Sequence, residues 1–133
     1  MSEGFKLEIV NPEKSFLLND GVSEVVVPAF EGDMGILKDH ISIISFLRPG
    51  LLRIIDSKSS EETFYVEDGI IEFKNNCLSV LTSNIFDIKK TDKNKIRDIL
   101  AKAEKEGQNS DISDEAKYLV NHKIEVLKSL TLN

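Results

Sequence analysis

The chain has 133 residues, a mass of 14.9 kDa, 41% hydrophobic residues and a net charge of −6. This size and balance are typical of one globular domain, alone or with a small appendage. The acidic excess excludes a broad basic surface for nucleic acid, and the single cysteine excludes an internal disulfide or a cysteine-based zinc site.

The first 88 residues show the apolar–polar alternation and the turn residues that are typical of short β-strands. We predict strands over 5–9, 15–18, 22–27, 41–47, 51–55, 63–66, 70–73 and 78–81. Pro49 and Gly50 predict a type II turn, and Asn75 and Asn76 predict a tight hairpin. Eight or more short strands at this spacing predict an antiparallel β-sandwich or barrel.

The composition changes near residue 88. Residues 1–88 hold 7 basic and 15 acidic side chains, whereas residues 89–133 hold 10 basic and 8 acidic. The second segment shows apolar residues at three- and four-residue spacing in two stretches, separated by Gly107. Caps at Thr91 or Asp92, and at Asp111 or Ser113, predict two helices that form an αα-hairpin. We therefore predict two domains, 1–88 and 89–133.

The residues that could carry chemistry are scattered, and no nucleotide-binding, hydrolase or metalloprotease motif occurs. We interpret Cys77 as a small half-buried residue and His122 as a solvated or interface histidine. Asp111, Asp114 and Glu115 surround the start of the second helix and would repel phosphate. We expect no cofactor, no metal and no catalytic residue. No apolar stretch approaches the roughly 18 residues of a membrane helix, and we expect neither a signal nor a transit peptide.

The segment from Val27 to His40 contains two glycines and several acidic residues, which we interpret as a tight exposed loop between strands. Phe30 and Met34 would be apolar side chains at the tip of that loop. Exposed apolar side chains lower solubility unless something covers them. The segment therefore predicts contact with a partner.

Several segments in this order make the chain resemble the epsilon subunit family of bacterial F-type ATP synthases. They are Leu7–Glu13, Val25–Pro28, Glu31–Leu37 with His40, Leu47–Gly50 and Tyr65–Ile71. The resemblance covers nearly the whole chain and implies a sandwich of about ten short antiparallel strands followed by a helical hairpin. Members usually carry Pro-Gly before the histidine, where this chain has Lys38 and Asp39; aspartate tolerates turn conformations, so we expect the turn to keep its shape.

The resemblance also implies a function, as a non-catalytic central-stalk (rotor) subunit. It implies gamma and the membrane c-ring as partners, coupling of proton translocation to ATP synthesis, and a peripheral position on the cytoplasmic face of the bacterial inner membrane, without insertion. The residues expected to face the c-ring are Glu31, Gly32, Asp33, Met34, Gly35 and His40. The helical hairpin is expected to contact the alpha/beta hexamer and restrain ATP hydrolysis through Lys89, Lys90, Lys93, Lys95, Arg97, Lys102 and Lys105.

Two other functions remain open from the residues alone. The first is a generic β-sandwich interaction module unrelated to ATP synthase. The second is a small hydrolase that would use Asp33, Asp39 and His40 from the same loop, although that loop offers neither a nucleophile nor a metal site.

Overall fold

The computed structural model describes residues 4–13 and 15–132, and it describes the side chains of all of these except residues 15–18. Nine strands precede two helices in this part of the chain. The strands are β1 (Phe5–Val10), β2 (Ser15–Ala29), β3 (Gly32–Leu37), β4 (Ile43–Leu47), β5 (Gly50–Asp56), β6 (Glu61–Val66), β7 (Gly69–Lys74), β8 (Cys77–Thr82) and β9 (Ile85–Asp87). The helices are α1 (Lys93–Gly107) and α2 (Asp114–Thr131).

The long strand β2 joins the two layers of the sandwich. Its first half pairs with β1 and its second half pairs with β3 and β5, all antiparallel. Gly21 lies between the halves with a φ of 82°, a conformation that glycine adopts without strain. One layer has the order β1-β8-β7-β4, and the other has β3-β2-β5-β6-β9.

The predicted sandwich is confirmed, with differences in its details. The two strands predicted over 15–18 and 22–27 are the single strand β2, and β3 and β9 were not predicted. The pairing is antiparallel throughout the described sheet except between β1 and β8, which run parallel from Lys6–Cys77 to Val10–Leu81.

The two predicted turns have different outcomes. Asn75 and Asn76 have φ values of 52° and 53°, so the predicted tight hairpin between β7 and β8 is confirmed. The prediction of a type II turn at Pro49–Gly50 is wrong, because Gly50 does not have a positive φ and instead begins β5. A Cβ at Gly50 would lie 2.6 Å from the Cβ of Pro28, so glycine allows the close approach of these two segments.

Both helices begin at predicted caps. The Asp92 side chain accepts a hydrogen bond from the Asn94 amide at the start of α1, and Ser113 accepts one from the Ala116 amide at the start of α2. The helices pack against each other and, through α2, against β5. The sequence pattern therefore predicted the αα-hairpin correctly.

Two apolar clusters hold the chain together. The larger lies between the sandwich layers and includes Leu7, Val25, Leu52, Ile71 and Phe73. The smaller lies between the hairpin and the second layer, and its buried members are Tyr65, Ile96, Ala103 and Leu127. The hairpin therefore covers the outer face of the second layer with its apolar stripe.

Candidate interaction surfaces

The segment predicted as an exposed loop is mostly a strand. Gly32–Leu37 forms β3 and pairs with β2 from Glu24–Leu37 to Ala29–Gly32, leaving only Phe30 and Glu31 in the turn. The side chain of Met34 packs against the main core, whereas Asp33 and Gly35 are exposed. The loop interpretation is therefore wrong, because a β2–β3 hairpin satisfies the backbone of this segment.

His40 lies at the other end of β3 from Glu31 and Asp33. The five residue steps from Gly32 to Leu37 span about 17 Å in an extended strand. His40 is half-buried and meets the ring of Phe73 edge-on, with ring centroids 5.9 Å apart. The residues predicted to face one partner are therefore divided between two ends of the sandwich, and a hydrolase site combining Asp33 with His40 is excluded.

Lys38 and Asp39 form the turn between β3 and His40. Asp39 has a φ of 66°, as expected for a residue that tolerates this conformation. The backbone amide of Asp39 donates to Asn76 Oδ1 at 2.7 Å, and Asn76 Nδ2 donates to Asp39 Oδ1 at 2.9 Å. These two hydrogen bonds fix the β3–β4 turn against the β7–β8 turn.

Phe30 is covered by the chain itself. Its ring packs on Tyr118 of α2 with centroids 4.9 Å apart, and the Tyr118 hydroxyl donates to the Phe30 carbonyl at 2.8 Å. Met34 packs against the core, so both side chains are half-buried and neither is an exposed apolar side chain at a loop tip. The argument from exposed apolar side chains in this segment is therefore wrong.

Arg48 holds the start of α2 to the sandwich. Its Nη1 donates to the Tyr118 hydroxyl at 3.0 Å and lies 3.3 Å from His122 Nε2. Since an arginine cannot accept a hydrogen bond, His122 takes part only through an unprotonated Nε2. His122 is half-buried at this contact, which agrees with an interface histidine.

A second polar contact joins β6 to both helices. The Tyr65 hydroxyl donates to Glu67 Oε2 at 2.9 Å, and Lys123 Nζ lies 3.2 Å from the same oxygen and 3.8 Å from Glu106 Oε1. The side chains of Lys123 and Glu67 are only 17% and 13% exposed. We call the chain Tyr65–Glu67–Lys123 the hairpin clasp.

Burial, reinforced by the negative charge of Glu67, raises the pKa of the Tyr65 hydroxyl well above its ordinary value of 10.0. A raised folded-state pKa means that Tyr65 contributes its full stability below about pH 10 and loses it as the pH rises further. Between pH 8 and pH 11, we expect the free energy of unfolding of the wild type to fall by about 1.4 kcal/mol more than that of the Tyr65→Phe variant.

Urea unfolding of both proteins at pH 8 and pH 11 measures this difference. Lysines titrate in both proteins, so the comparison removes their contribution. An identical loss of stability in the two proteins would contradict the role assigned to Tyr65.

The outer face of the first layer carries an apolar row across four strands. Phe46 lies opposite Ile70, Ile70 opposite Leu81, and Leu81 opposite Val10. Phe46, Ile70 and Leu81 are 65%, 41% and 51% exposed, and Ile44 beside them is 70% exposed. Contiguous apolar surface of this kind marks an interaction site in a soluble protein. We call Val10, Leu81, Ile70 and Phe46 the apolar row.

The basic residues predicted on the hairpin are all accessible. Every one of the seven side chains is exposed: Lys89, Lys90, Lys93, Lys95, Arg97, Lys102 and Lys105. Within the described residues none of them lies within 4.0 Å of a carboxylate. The positive charge of these seven side chains is therefore available to a partner.

Residues 4–13 and 15–132 contain no group of three or more His, Cys, Asp or Glu side chains that could hold a metal ion. Over the same range, no helix has the length and apolar character needed to cross a membrane. Asp111, Asp114 and Glu115 are exposed around the start of α2, as the sequence suggested. Cys77 is half-buried, which agrees with its interpretation.

The sandwich presents an exposed apolar face and the hairpin presents exposed basic side chains, and surfaces of both kinds are typical of proteins that bind other proteins. The family model described as "ATP synthase, Delta/Epsilon chain, beta-sandwich domain" matches residues 4–88. A curated "ATP synthase epsilon chain" from Pelagibacter ubique is 68% identical over 130 residues, covering 98% of this chain and 99% of that protein.

Two solved structures share the fold at low sequence identity. A chain of the Euglena gracilis mitochondrial ATP synthase, in an assembly of OSCP, F1 and c-ring, has a TM-score of 0.73 and 17% identity, over 96% of this chain and 79% of that one. A chain from the central stalk and c-ring of the Tetrahymena thermophila enzyme has a TM-score of 0.71 and 19% identity, over 98% of both.

The chain therefore belongs to the ATP synthase delta/epsilon chain family, as a non-catalytic subunit of the complex. The predicted family resemblance is confirmed, and the alternative of an unrelated sandwich module is not favoured.

Proposed function

We propose that this chain is the rotor subunit that joins gamma to the membrane c-ring of an F-type ATP synthase. In this position it couples proton translocation to ATP synthesis. The observation that carries the proposal is the apolar row, which offers a partner a continuous surface on one side of the sandwich. The full-length similarity to an epsilon chain supports the same function.

The apolar row is the surface we assign to gamma. Aromatic and aliphatic side chains on a rigid sheet lose little conformational freedom when a partner covers them. Energetically dominant interface residues are large side chains near the centre of such a patch. Ile70 occupies that position, because it lies between Phe46 and Leu81 in the sheet, and Phe46 is the largest and most exposed side chain of the row.

We assign the c-ring to the end of the sandwich that carries the β2–β3 turn. Glu31, Gly32 and Asp33 lie there, with both carboxylates exposed. Charged groups at the rim of an interface contribute little affinity singly but orient the partner. His40 and its turn lie at the opposite end and would face away from the ring.

Cross-linking tests the orientation. In a Cys77→Ser background, we expect Glu31→Cys or Asp33→Cys to form a disulfide with a cysteine in the polar loop of the c-ring in the assembled enzyme. Lys58→Cys, on the exposed turn between β5 and β6, is the matched control and should not react. A cross-link to the c-ring from Lys58→Cys alone would show that the opposite end of the sandwich faces the ring.

We propose that the hairpin, residues 89–133, forms a second domain that regulates ATP hydrolysis. Its seven exposed basic side chains suit an acidic surface on the alpha/beta hexamer, and such an attraction weakens with salt. The sandwich, residues 1–88, holds both surfaces assigned to assembly, and the family model matches residues up to 88.

Removing residues 89–133 should leave assembly and coupled ATP synthesis intact while changing the rate of ATP hydrolysis or its activation. A full-length variant with glutamine at the seven basic positions should change hydrolysis in the same direction, and this variant keeps the face covered by the hairpin buried. Loss of assembly in the glutamine variant, or unchanged hydrolysis in both, would contradict the regulatory function.

The complex would lie at the cytoplasmic face of the bacterial plasma membrane, with this subunit peripheral to it.

A further inference from the structure

A groove of about 720 Å³ lies at the seam between the sandwich and the start of α2. Its walls come from both parts of the chain, since Phe46 and Ile70 belong to the first layer and Leu119 belongs to α2. Phe30, from the β2–β3 turn, also lines it. We call this cavity the seam groove. Its volume is within the range of protein sites that take a small molecule or a few side chains.

Three carboxylates also line the seam groove. Asp68 precedes β7, and Asp114 and Glu115 form the first turn of α2; all three are exposed. Asp68 accepts a hydrogen bond from the Ser83 hydroxyl at 3.2 Å. In the part of the chain that the structure describes, no lysine, arginine or histidine lies within 4.0 Å of any of the three. Arg48, which also binds α2, is engaged with Tyr118 and His122.

An apolar lining with carboxylates that lack a cationic partner favours binding of one kind of side chain. Lysine and arginine place their methylene stems along apolar surface and their charged heads in a polar setting. The exposed ring of Phe46 adds an aromatic surface on which such a side chain can pack. An acidic or purely apolar segment would leave the carboxylates repelled or partly desolvated without a partner.

We propose that the seam groove binds a lysine or arginine side chain carried on an apolar segment of the subunit that covers the apolar row. This inference rests on the proposed function, in which that subunit is gamma. Phe46 and Ile70 belong to both the apolar row and the seam groove, so one partner can cover the two surfaces without a break.

The seam groove exists only while α2 lies on the sandwich, because one wall comes from each. A ligand that binds one state of a protein shifts the population toward that state. Occupation of the seam groove should therefore slow hydrogen exchange of the α2 amides. This readout separates binding in the seam groove from binding elsewhere on the sandwich.

Two small probes of matched shape and opposite charge test the chemistry on the full chain. We expect 4-phenylbutylguanidinium, titrated at low salt, to shift the methyl resonances of Ile70 and Leu119 saturably and to slow exchange in α2. The anion 4-phenylbutanoate should do neither. Equal effects of the two probes, or none from the cation, would overturn the inference.

Charge-neutral variants locate the cation. Asp114→Asn combined with Glu115→Gln should weaken binding of the guanidinium probe about fivefold, since two rim charges together contribute about 1 kcal/mol. Asp98→Asn combined with Glu104→Gln, at two exposed positions of α1, is the matched control and should bind as the wild type does. Equal weakening by the control would show a general charge effect and overturn the assignment.

Binding to purified gamma distinguishes this inference from the proposed function. The double variant should bind gamma about fivefold more weakly than the wild type and with a smaller salt dependence. If the wild type fails to bind gamma, the proposed function fails. If the wild type and the double variant bind gamma equally, with equal salt dependence, the proposed function stands and the seam groove inference is overturned.

Discussion

Aspartate at both Phe46 and Ile70 should abolish binding of this chain to gamma while leaving the chain folded. Each side chain points away from the core, and their exposed fractions of 65% and 41% show that neither is required inside the sandwich. Two charges within an apolar interface would have to be desolvated without partners. Truncation of one of the few energetically dominant interface residues costs about 2 kcal/mol or more, and the double change should weaken binding more than 100-fold.

Titration of the purified variant with gamma measures this loss, and circular dichroism checks the fold. Leu37→Asp is the matched control, since Leu37 is 55% exposed on β3, in the other layer. It places one such charge at a similarly exposed apolar position and should bind gamma normally. Full binding by the Phe46 and Ile70 variant would show that gamma covers a different face.

Lys123→Met should weaken the attachment of the hairpin to the sandwich by about 2 kcal/mol, because it leaves Glu67 nearly buried without its cation. Methionine keeps most of the apolar stem, so the change isolates the ammonium group. The α1–α2 contact should persist, since its apolar cluster is unchanged. Hydrogen exchange should therefore accelerate in both helices by a similar factor, with little change in the sandwich core.

Lys128→Met provides the control, because Lys128 is exposed on the same helix and belongs to none of the ion pairs found among the described residues. Adding Glu67→Gln to Lys123→Met should recover part of the loss, since the amide can still accept from Tyr65 without burying a charge. Unaltered exchange in Lys123→Met would mean that the apolar cluster alone attaches the hairpin.

The sequence predicted those parts of the fold that depend on local pattern. Asn75 and Asn76 specify their turn by themselves, and Asp92 and Ser113 cap their helices through hydrogen bonds to amides two or three residues away. Gly50 was misinterpreted because its role depends on Pro28, which is distant in sequence. The strand β3 was missed because its glycines resemble those of a loop, and only pairing with β2 stabilises it.

The candidate surfaces were harder to predict than the fold. The apolar row could have been predicted from the sequence, because Ile43-Ile44 and Ile70-Ile71 make their strands apolar on both faces. Strands of this kind are usually covered on both faces of the sheet. The hairpin clasp and the contacts of Arg48 could not, because they join residues 56 and 70 or more positions apart. Only the docked arrangement of α2 brings these polar groups together.

Both tyrosines of the chain lie where the hairpin meets the sandwich, and the sequence contains no tryptophan. Tyr65 stacks on Phe86 with ring centroids 4.8 Å apart, and Tyr118 packs on Phe30. Near-ultraviolet circular dichroism depends on fixed aromatic packing, whereas the far-ultraviolet signal reports secondary structure. The chain therefore carries an intrinsic optical reporter of hairpin position, readable without a label: departure of the helices would change the tyrosine signal while the helical signal persists.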